Sequence, residues 1–236
     1  MYVATLIANS KNRNLSELIL KQVVNDLGGV KYKVLDDNIA VDISLVSEPS
    51  NFEIVWKQLQ KHQIDMILQP IKNRRKNILL ADMDSTMIEQ ECIDELANEA
   101  GVGKRVAEIT KRAMNGELDF EDALIERVKL LKGLSSDIIV NVLKGRITLM
   151  PGAESLIKTM KRNGSYCALV SGGFTDFTEA ISKILGFDEN RANSLLHKNK
   201  MLTGEVQFPI LGRQAKVEAL TDITKKLGCV NNDVIA

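Results

Sequence analysis

ILLADMDSTMIEQE, residues 78–91, ends a short apolar run on two aspartates, Asp82 and Asp84, followed at once by Ser85 and Thr86. The run reads as a buried strand. In an open α/β sheet, ligands bind outside the carboxyl ends of the strands, so both carboxylates stand where a ligand would lie. Two like charges this close are unfavourable unless something positive is shared between them. A hard cation such as Mg²⁺, taking oxygen ligands, meets that need. One carboxylate can then attack an electrophilic phosphorus. The other can pass a proton to the leaving oxygen and later take one from water.

Downstream, a long helical region over 88–144 is punctuated by AGVG (100–103), NGELD (115–119) and KGLSS (132–136). Strand–helix alternation then resumes. A helix follows Pro151-Gly152, with proline suited to a first turn. YCALV (166–170) is a strand, TDFTEAISKILG (175–186) a helix with a glycine stop, and 194–208 a hairpin. RQAKVEALTDITKKLG (213–228) is another helix, and DVIA (233–236) begins one more strand. Alternating βα units predict a parallel sheet covered on both faces. The helices inserted after the first strand form a cap over it.

A second strand end, Ser171-Gly172-Gly173 after CALV, offers a hydroxyl and backbone amides that suit phosphate oxygens. Lys216 on a later helix completes the charge balance around a transferring phosphoryl group. Each signal taken alone has a plainer reading. A DxD is often a turn or a simple metal loop, and in sugar-nucleotide transferases it holds a cation without being the nucleophile. An SGG is often a turn, and a lone lysine lies on the surface. The order and spacing of all three favour a phosphoryl site.

Upstream, residues 1–70 form a separate unit. VATLIA (3–8) is a strand. LSELILKQVVNDLG (15–28) carries a helical apolar stripe that stops at Gly28-Gly29. KYKVLDD (31–37) and IAVDISLV (39–46) are strands, a helix capped by Ser50 or Asn51 runs to Lys61, and IDMILQP (64–70) is a strand stopped by Pro70. This order predicts a ferredoxin-like βαββαβ unit. The basic stretch IKNRRKN (71–77) reads as a solvated linker. The expected boundaries are 1–72 for the first unit and 73–236 for the second, with the cap at about 89–148.

Lys+Arg and Asp+Glu number 31 each, which argues against a nucleic-acid-binding field or a basic membrane arm. Cys92, Cys167 and Cys229 are isolated and lack CxxC spacing, so reduced thiols are expected and neither a disulfide framework nor a zinc site. No apolar run approaches the ~18 residues of a membrane helix. No basic, secretory-type leader precedes the first strand. A cytoplasmic protein is expected. His62 and His197 lie outside the motifs and suggest no histidine nucleophile.

DMDST (82–86) resembles the DxDx[TV] signature of the haloacid dehalogenase superfamily. DMDSTMIEQECIDELA (82–97), NGELDFEDALIERVKLLKGL (115–134), VSGGFTDF (170–177) and AKVEAL (215–220) resemble its phosphoserine phosphatases. The likeness covers 78–236, and the first unit is similar to the ACT-like domain of bacterial members. The resemblance implies a Rossmann-like three-layer core with an inserted helical cap. It also implies Mg²⁺-dependent hydrolysis of O-phosphoserine, the last step of serine biosynthesis. Asp82 would be the nucleophile and Asp84 the general acid and base. Mg²⁺ would sit on the Asp82 carboxylate and the Asp84 backbone carbonyl. Ser171, the Gly172 amide and Lys216 would hold the phosphoryl group. Glu91 would meet the substrate ammonium and Arg127 its carboxylate; Met114 and Phe120 resemble the apolar residues that line the family's pocket, with core packing an equal alternative. By analogy the first unit allows regulation or a homodimer.

Arg127 has support of its own, because it falls on the face set by Phe120, Leu124, Val128 and Leu131. An arginine among buried positions needs a partner, and a carboxylate held by both guanidinium nitrogens suits it. The alternatives are an internal salt bridge or a side chain reaching to the rim. Glu91 has a plainer reading shared with Glu89, an acidic residue near a helix start. The family also carries a GDGxND-type acidic loop after the next strand, which supplies a metal ligand. The sequence ends at DVIA, so the resemblance implies a shortened core with weak Mg²⁺ binding and low turnover. Two other functions fit the same residues: an inactive sensing or dimerising module, and a phosphatase for another small phosphomonoester.

Overall fold

The computed structural model describes residues 1–236. They divide into two compact units, Met1–Arg75 and Lys76–Ala236, a boundary that falls inside the basic stretch 71–77.

The first unit runs β1 (Tyr2–Ala8), α1 (Glu17–Leu27), β2 (Lys31–Asp36), β3 (Ala40–Leu45), α2 (Phe52–Gln60) and β4 (Ile64–Pro70). Its sheet has the order β2-β3-β1-β4, antiparallel at every pairing. Val41, Ile43 and Leu45 alternate inward along β3, as a half-covered strand requires. Ser16 caps α1 by accepting the Ile19 N–H, and Gly28 ends it in the left-handed region at φ 67°. Two expectations are corrected here. Asn51 stands at the start of α2 but makes no cap; its amide donates instead to the Asp26 carbonyl. Arg74, expected in a solvated stretch, donates to both Asp42 carboxylate oxygens at 2.6 and 2.7 Å and to Thr5 Oγ1 at 3.0 Å.

The second unit opens with β5 (Ile78–Ala81). Four helices follow: α3 (Cys92–Glu99), α4 (Gly103–Met114), α5 (Phe120–Lys129) and α6 (Asp137–Gly145). Then come α7 (Ala153–Arg162), β6 (Tyr166–Phe174), α8 (Thr175–Leu185), β7 (Glu189–Asn193), the hairpin β8 (Leu195–Lys198) and β9 (Met201–Val206), α9 (Arg213–Leu227) and β10 (Val234–Ile235). The sheet order is β10-β5-β6-β7, parallel throughout. This is the α/β architecture with a parallel sheet that the motif order predicts.

Both faces of the sheet are covered. Leu79, Ala81, Cys167 and Leu169 join a core shared with α3, α5, α6, α7 and α8. Ile78, Leu80, Ala168 and Val170 pack against Ala219 and Ile223 of α9. That is why ILLA reads as a continuous apolar run and does not alternate. The inserted helices leave and rejoin the core at one point. Glu89 N–H donates to the Thr148 carbonyl and Met150 N–H to the Met87 carbonyl, beside a bridge between Ile88 and Leu149. β7 escaped the sequence reading because ENRAN has no apolar run. It sits at the sheet edge, where only Ala192 and Asn193 are buried. β6 also runs on through SGGF, past the expected stop at residue 170.

Candidate active site

A cavity of about 330 Å³ opens at the carboxyl ends of β5 and β6. The β5 end contributes Asp82 and Asp84, and the β6 end Ser171, Gly172 and Gly173. The start of α9 adds Gly212, Arg213 and Lys216. Glu91 and Ile93, together with Phe120, Leu124 and Arg127 of α5, complete the wall from the insert. All seven residues singled out for catalysis or binding thus share one cavity: Asp82, Asp84, Glu91, Arg127, Ser171, Gly172 and Lys216.

The turn after β5 is built tightly. The Met83 carbonyl accepts three N–H groups, from Thr86, Met87 and Ile88. Ser85 takes φ 53°, a left-handed conformation uncommon for a residue with a side chain. Its hydroxyl donates to Glu91 Oε1 at 2.7 Å. That bond turns the Glu91 carboxylate away from a capping role, for α3 has no side-chain cap. Glu89 accepts from the Thr148 hydroxyl and does not line the cavity.

Asp82 is held on both oxygens. Oδ1 accepts the Met83 N–H at 2.8 Å, and Oδ2 accepts from Lys216 Nζ at 2.5 Å. Asp84 accepts the Cys92 N–H at 3.1 Å. Burial first, then repulsion by Glu91 and Asp82, pushes its carboxyl up to about 6 against the lowering pull of Cys92. Burial and Asp84 also push the Cys92 thiol well up, so it stays protonated beside the carboxylate. The Asp84 carboxyl lies over a glycine. A methyl group on Gly173 would stand 2.8 Å from Asp84 Oδ2 and 3.1 Å from Ser171 Oγ. Ser171 is 3% exposed, and its Oγ accepts the Gly173 N–H at 2.9 Å.

Arg127 is half-buried. Its Nε donates to the Ala123 carbonyl at 3.0 Å, one turn back on α5. No carboxylate lies within 4.0 Å of it, so the internal salt bridge is not formed. Burial lowers its pKa, while Asp94 and Glu91 act in the opposite direction. Phe120 packs against Gly172 and Gly212; methyl groups there would meet its ring at 2.9 and 3.3 Å. Met114 is a correction: it is 84% exposed at the end of α4 and lines no part of this cavity. Arg213 was not expected here. Its only sequence signal is its place one turn before Lys216 on α9. His62 and His197 lie outside the cavity.

The arrangement offers three carboxylates facing three cations. Of these, the Asp82 carboxylate is held by Lys216, the Glu91 carboxylate by the Ser85 hydroxyl, and the Asp84 carboxyl, raised by burial, can gain or lose a proton near neutral pH. Residues 79–235 match the haloacid dehalogenase-like hydrolases. A phosphoserine phosphatase of Archaeoglobus fulgidus is 40% identical over 182 residues, 76% of this chain, and the chain spans about half (53%) the length of that relative. A family hydrolase from Salmonella enterica serovar Typhi superposes over 100% of this chain and 82% of its own, at TM-score 0.81 and 25% identity. A phosphoserine phosphatase solved as a phospho-aspartyl intermediate analogue matches 68% of this chain and 77% of its own, at TM-score 0.63 and 43% identity.

Proposed function

The chain belongs to the haloacid dehalogenase-like hydrolase family, and from that premise we propose that it hydrolyses O-phosphoserine to serine and phosphate through an aspartyl-phosphate. The observation that supports this most is the meeting of Asp82, Asp84, Ser171 and Lys216 with Glu91 and Arg127 in one cavity. The first four suit a phosphoryl group, and the last two suit the ammonium and carboxylate of an amino acid.

In the first step the Asp82 carboxylate forms a bond to phosphorus as the phosphorus–serine oxygen bond breaks. Asp84, protonated, gives its proton to the departing serine oxygen. In the second step water attacks the phosphoryl group, Asp84 takes the water proton, and Asp82 is released with inorganic phosphate. A carboxyl at about 6 can serve both steps near neutral pH. Ser171, the Gly172 amide and Lys216 hold the phosphoryl oxygens in both.

Enzymes of this family generally use a divalent metal. The Asp82 carboxylate and the Asp84 carbonyl are oxygen donors suited to Mg²⁺, and Asp84, raised first by burial and then by the Glu91 and Asp82 charges, stands where a cation would offset that cost. When bound, Mg²⁺ neutralises charge on the phosphoryl oxygens. The first unit is read as ferredoxin-like and ACT-like, serving amino-acid sensing or a homodimer. No helix is long and apolar enough to cross a membrane, and a cytoplasmic place in serine biosynthesis is part of the same reading.

The test is phosphate release from O-phosphoserine by the full-length protein in Mg²⁺. Release that is lost in Asp82→Asn is expected. Equal rates on a phosphate ester lacking the amino-acid head group would remove the substrate assignment, and release that persists in Asp82→Asn would remove the mechanism.

A further inference from the structure

Asn193, at the end of β7, is 2% exposed and polar, and the chemistry above makes no use of it. Its side chain makes three hydrogen bonds, all to backbone. Nδ2 donates to the Gly172 carbonyl at 2.8 Å and to the Leu211 carbonyl at 3.2 Å. Oδ1 accepts the Leu211 N–H at 2.7 Å.

The reason lies in the sheet. β6 and β7 pair regularly to Val170 and Arg191, and pairing resumes only at Phe174 and Asn193. Four steps along β6 therefore face two along β7, and Ser171, Gly172 and Gly173 bulge out of the ladder. A bulge leaves backbone groups without their ladder partners, and a buried carbonyl needs a donor. The Asn193 amide supplies one to Gly172. With its remaining hydrogen-bonding capacity it grips both polar groups of Leu211, two residues before α9 begins and five before Lys216. One side chain thus ties together the two backbone segments that line the phosphoryl end of the cavity.

We propose that Asn193 is a positioning residue for phosphoryl binding, holding the Ser171–Gly173 bulge in register with the segment that carries Lys216. This rests on the reading that Ser171, Gly172 and Lys216 hold a phosphoryl group, but not on which phosphate ester is the substrate. Removing the amide releases the Gly172 carbonyl and the Leu211 backbone together, so the phosphate contacts lose their mutual alignment.

The experiment is calorimetric titration of the full-length protein with inorganic phosphate in Mg²⁺, comparing Asn193→Ala with Thr178→Val. Thr178 is also fully buried, and its hydroxyl bonds to Asn190 Oδ1 at 2.9 Å on the same strand, away from the cavity. It reports the effect of merely weakening β7. Asn193→Ala is expected to weaken phosphate binding on the order of tenfold, as for the loss of one well-placed contact, with Thr178→Val unchanged. Unchanged binding in Asn193→Ala, or equal weakening in both variants, overturns the proposal. A wild-type protein that binds no phosphate overturns the proposal and the phosphoryl reading beneath it. Phosphate bound without O-phosphoserine hydrolysis removes only the substrate. If Asn193→Ala does not fold, hydrogen exchange of the wild-type Leu211 amide decides. Slowing on the order of tenfold with phosphate supports the tie, and no slowing overturns it.

Discussion

Replacing Asp84 with asparagine is expected to stabilise the second unit at pH 8 and to leave it nearly unchanged at pH 4. The Asp84 carboxyl rises from 3.8 to about 6 on folding, with burial as the largest cause. A raised carboxyl favours the protonated fold. Its contribution is fully present below pH 3.8 and is lost as pH climbs through about 6. At pH 8 the ionised side chain therefore costs the fold about 3 kcal/mol relative to its protonated form. Asparagine is close in shape, carries no charge at any pH, and its amide oxygen can still accept the Cys92 N–H. The gain at pH 8 is then about 1–3 kcal/mol, because the amide NH₂ must fit against Gly173 where Asp84 Oδ2 now lies. The assay is urea unfolding from pH 4 to 8 with a chelator present, so that no cation neutralises the pair. Trp56 lies in the first unit, so far-UV circular dichroism, fitted for two transitions, must follow the second. Wild-type stability should fall across this window relative to the variant. Parallel pH profiles, or a variant less stable at pH 8, would refute the buried-charge account of Asp84.

Gly173→Ala should lower turnover by about 100-fold, since a methyl group 2.8 Å from Asp84 Oδ2 must move that carboxyl; steady-state kinetics checks it. Arg127→Ala should raise KM for O-phosphoserine by about 10- to 100-fold while changing little for a phosphate ester without a carboxylate. Arg74→Ala should destabilise the first unit by about 2 kcal/mol, read by Trp56 fluorescence in urea, because it strips the mostly buried Asp42 of both its guanidinium bonds.

The elements that announce themselves by period or punctuation were legible in the sequence. β5 and the first half of β6 are apolar runs, α1 and α8 end on glycines at φ 67° and 87°, and β3 alternates. The cavity residues were legible for a different reason: Asp82, Asp84, Ser171 and Lys216 are polar groups at strand ends or on a helix beside them, where an open sheet collects its ligands. What stayed hidden depends on contacts across the chain. Arg74 looks solvated in IKNRRKN, yet its partners Asp42 and Thr5 lie 32 and 69 residues away. Met114 reads as either a pocket or a core residue, and the end of α4 leaves it facing solvent instead.

The same distinction explains why Asn193 could not be read and why it matters to the site. A residue that meets a ligand carries its chemistry on its side chain, so its type and its neighbours in sequence betray it. A residue that meets backbone needs only an amide of the right reach, and any asparagine in a polar strand supplies that. Its meaning arises when the β6 ladder breaks at Gly172 and leaves a carbonyl to be satisfied 21 residues away in sequence. The bulge gives the phosphoryl end its small, backbone-lined wall, because a regular strand would spend the backbone groups of Ser171–Gly173 on its neighbour. The wall and the buried amide are therefore two parts of one device: the break frees the loop to face the cavity, and Asn193 keeps the freed loop from wandering.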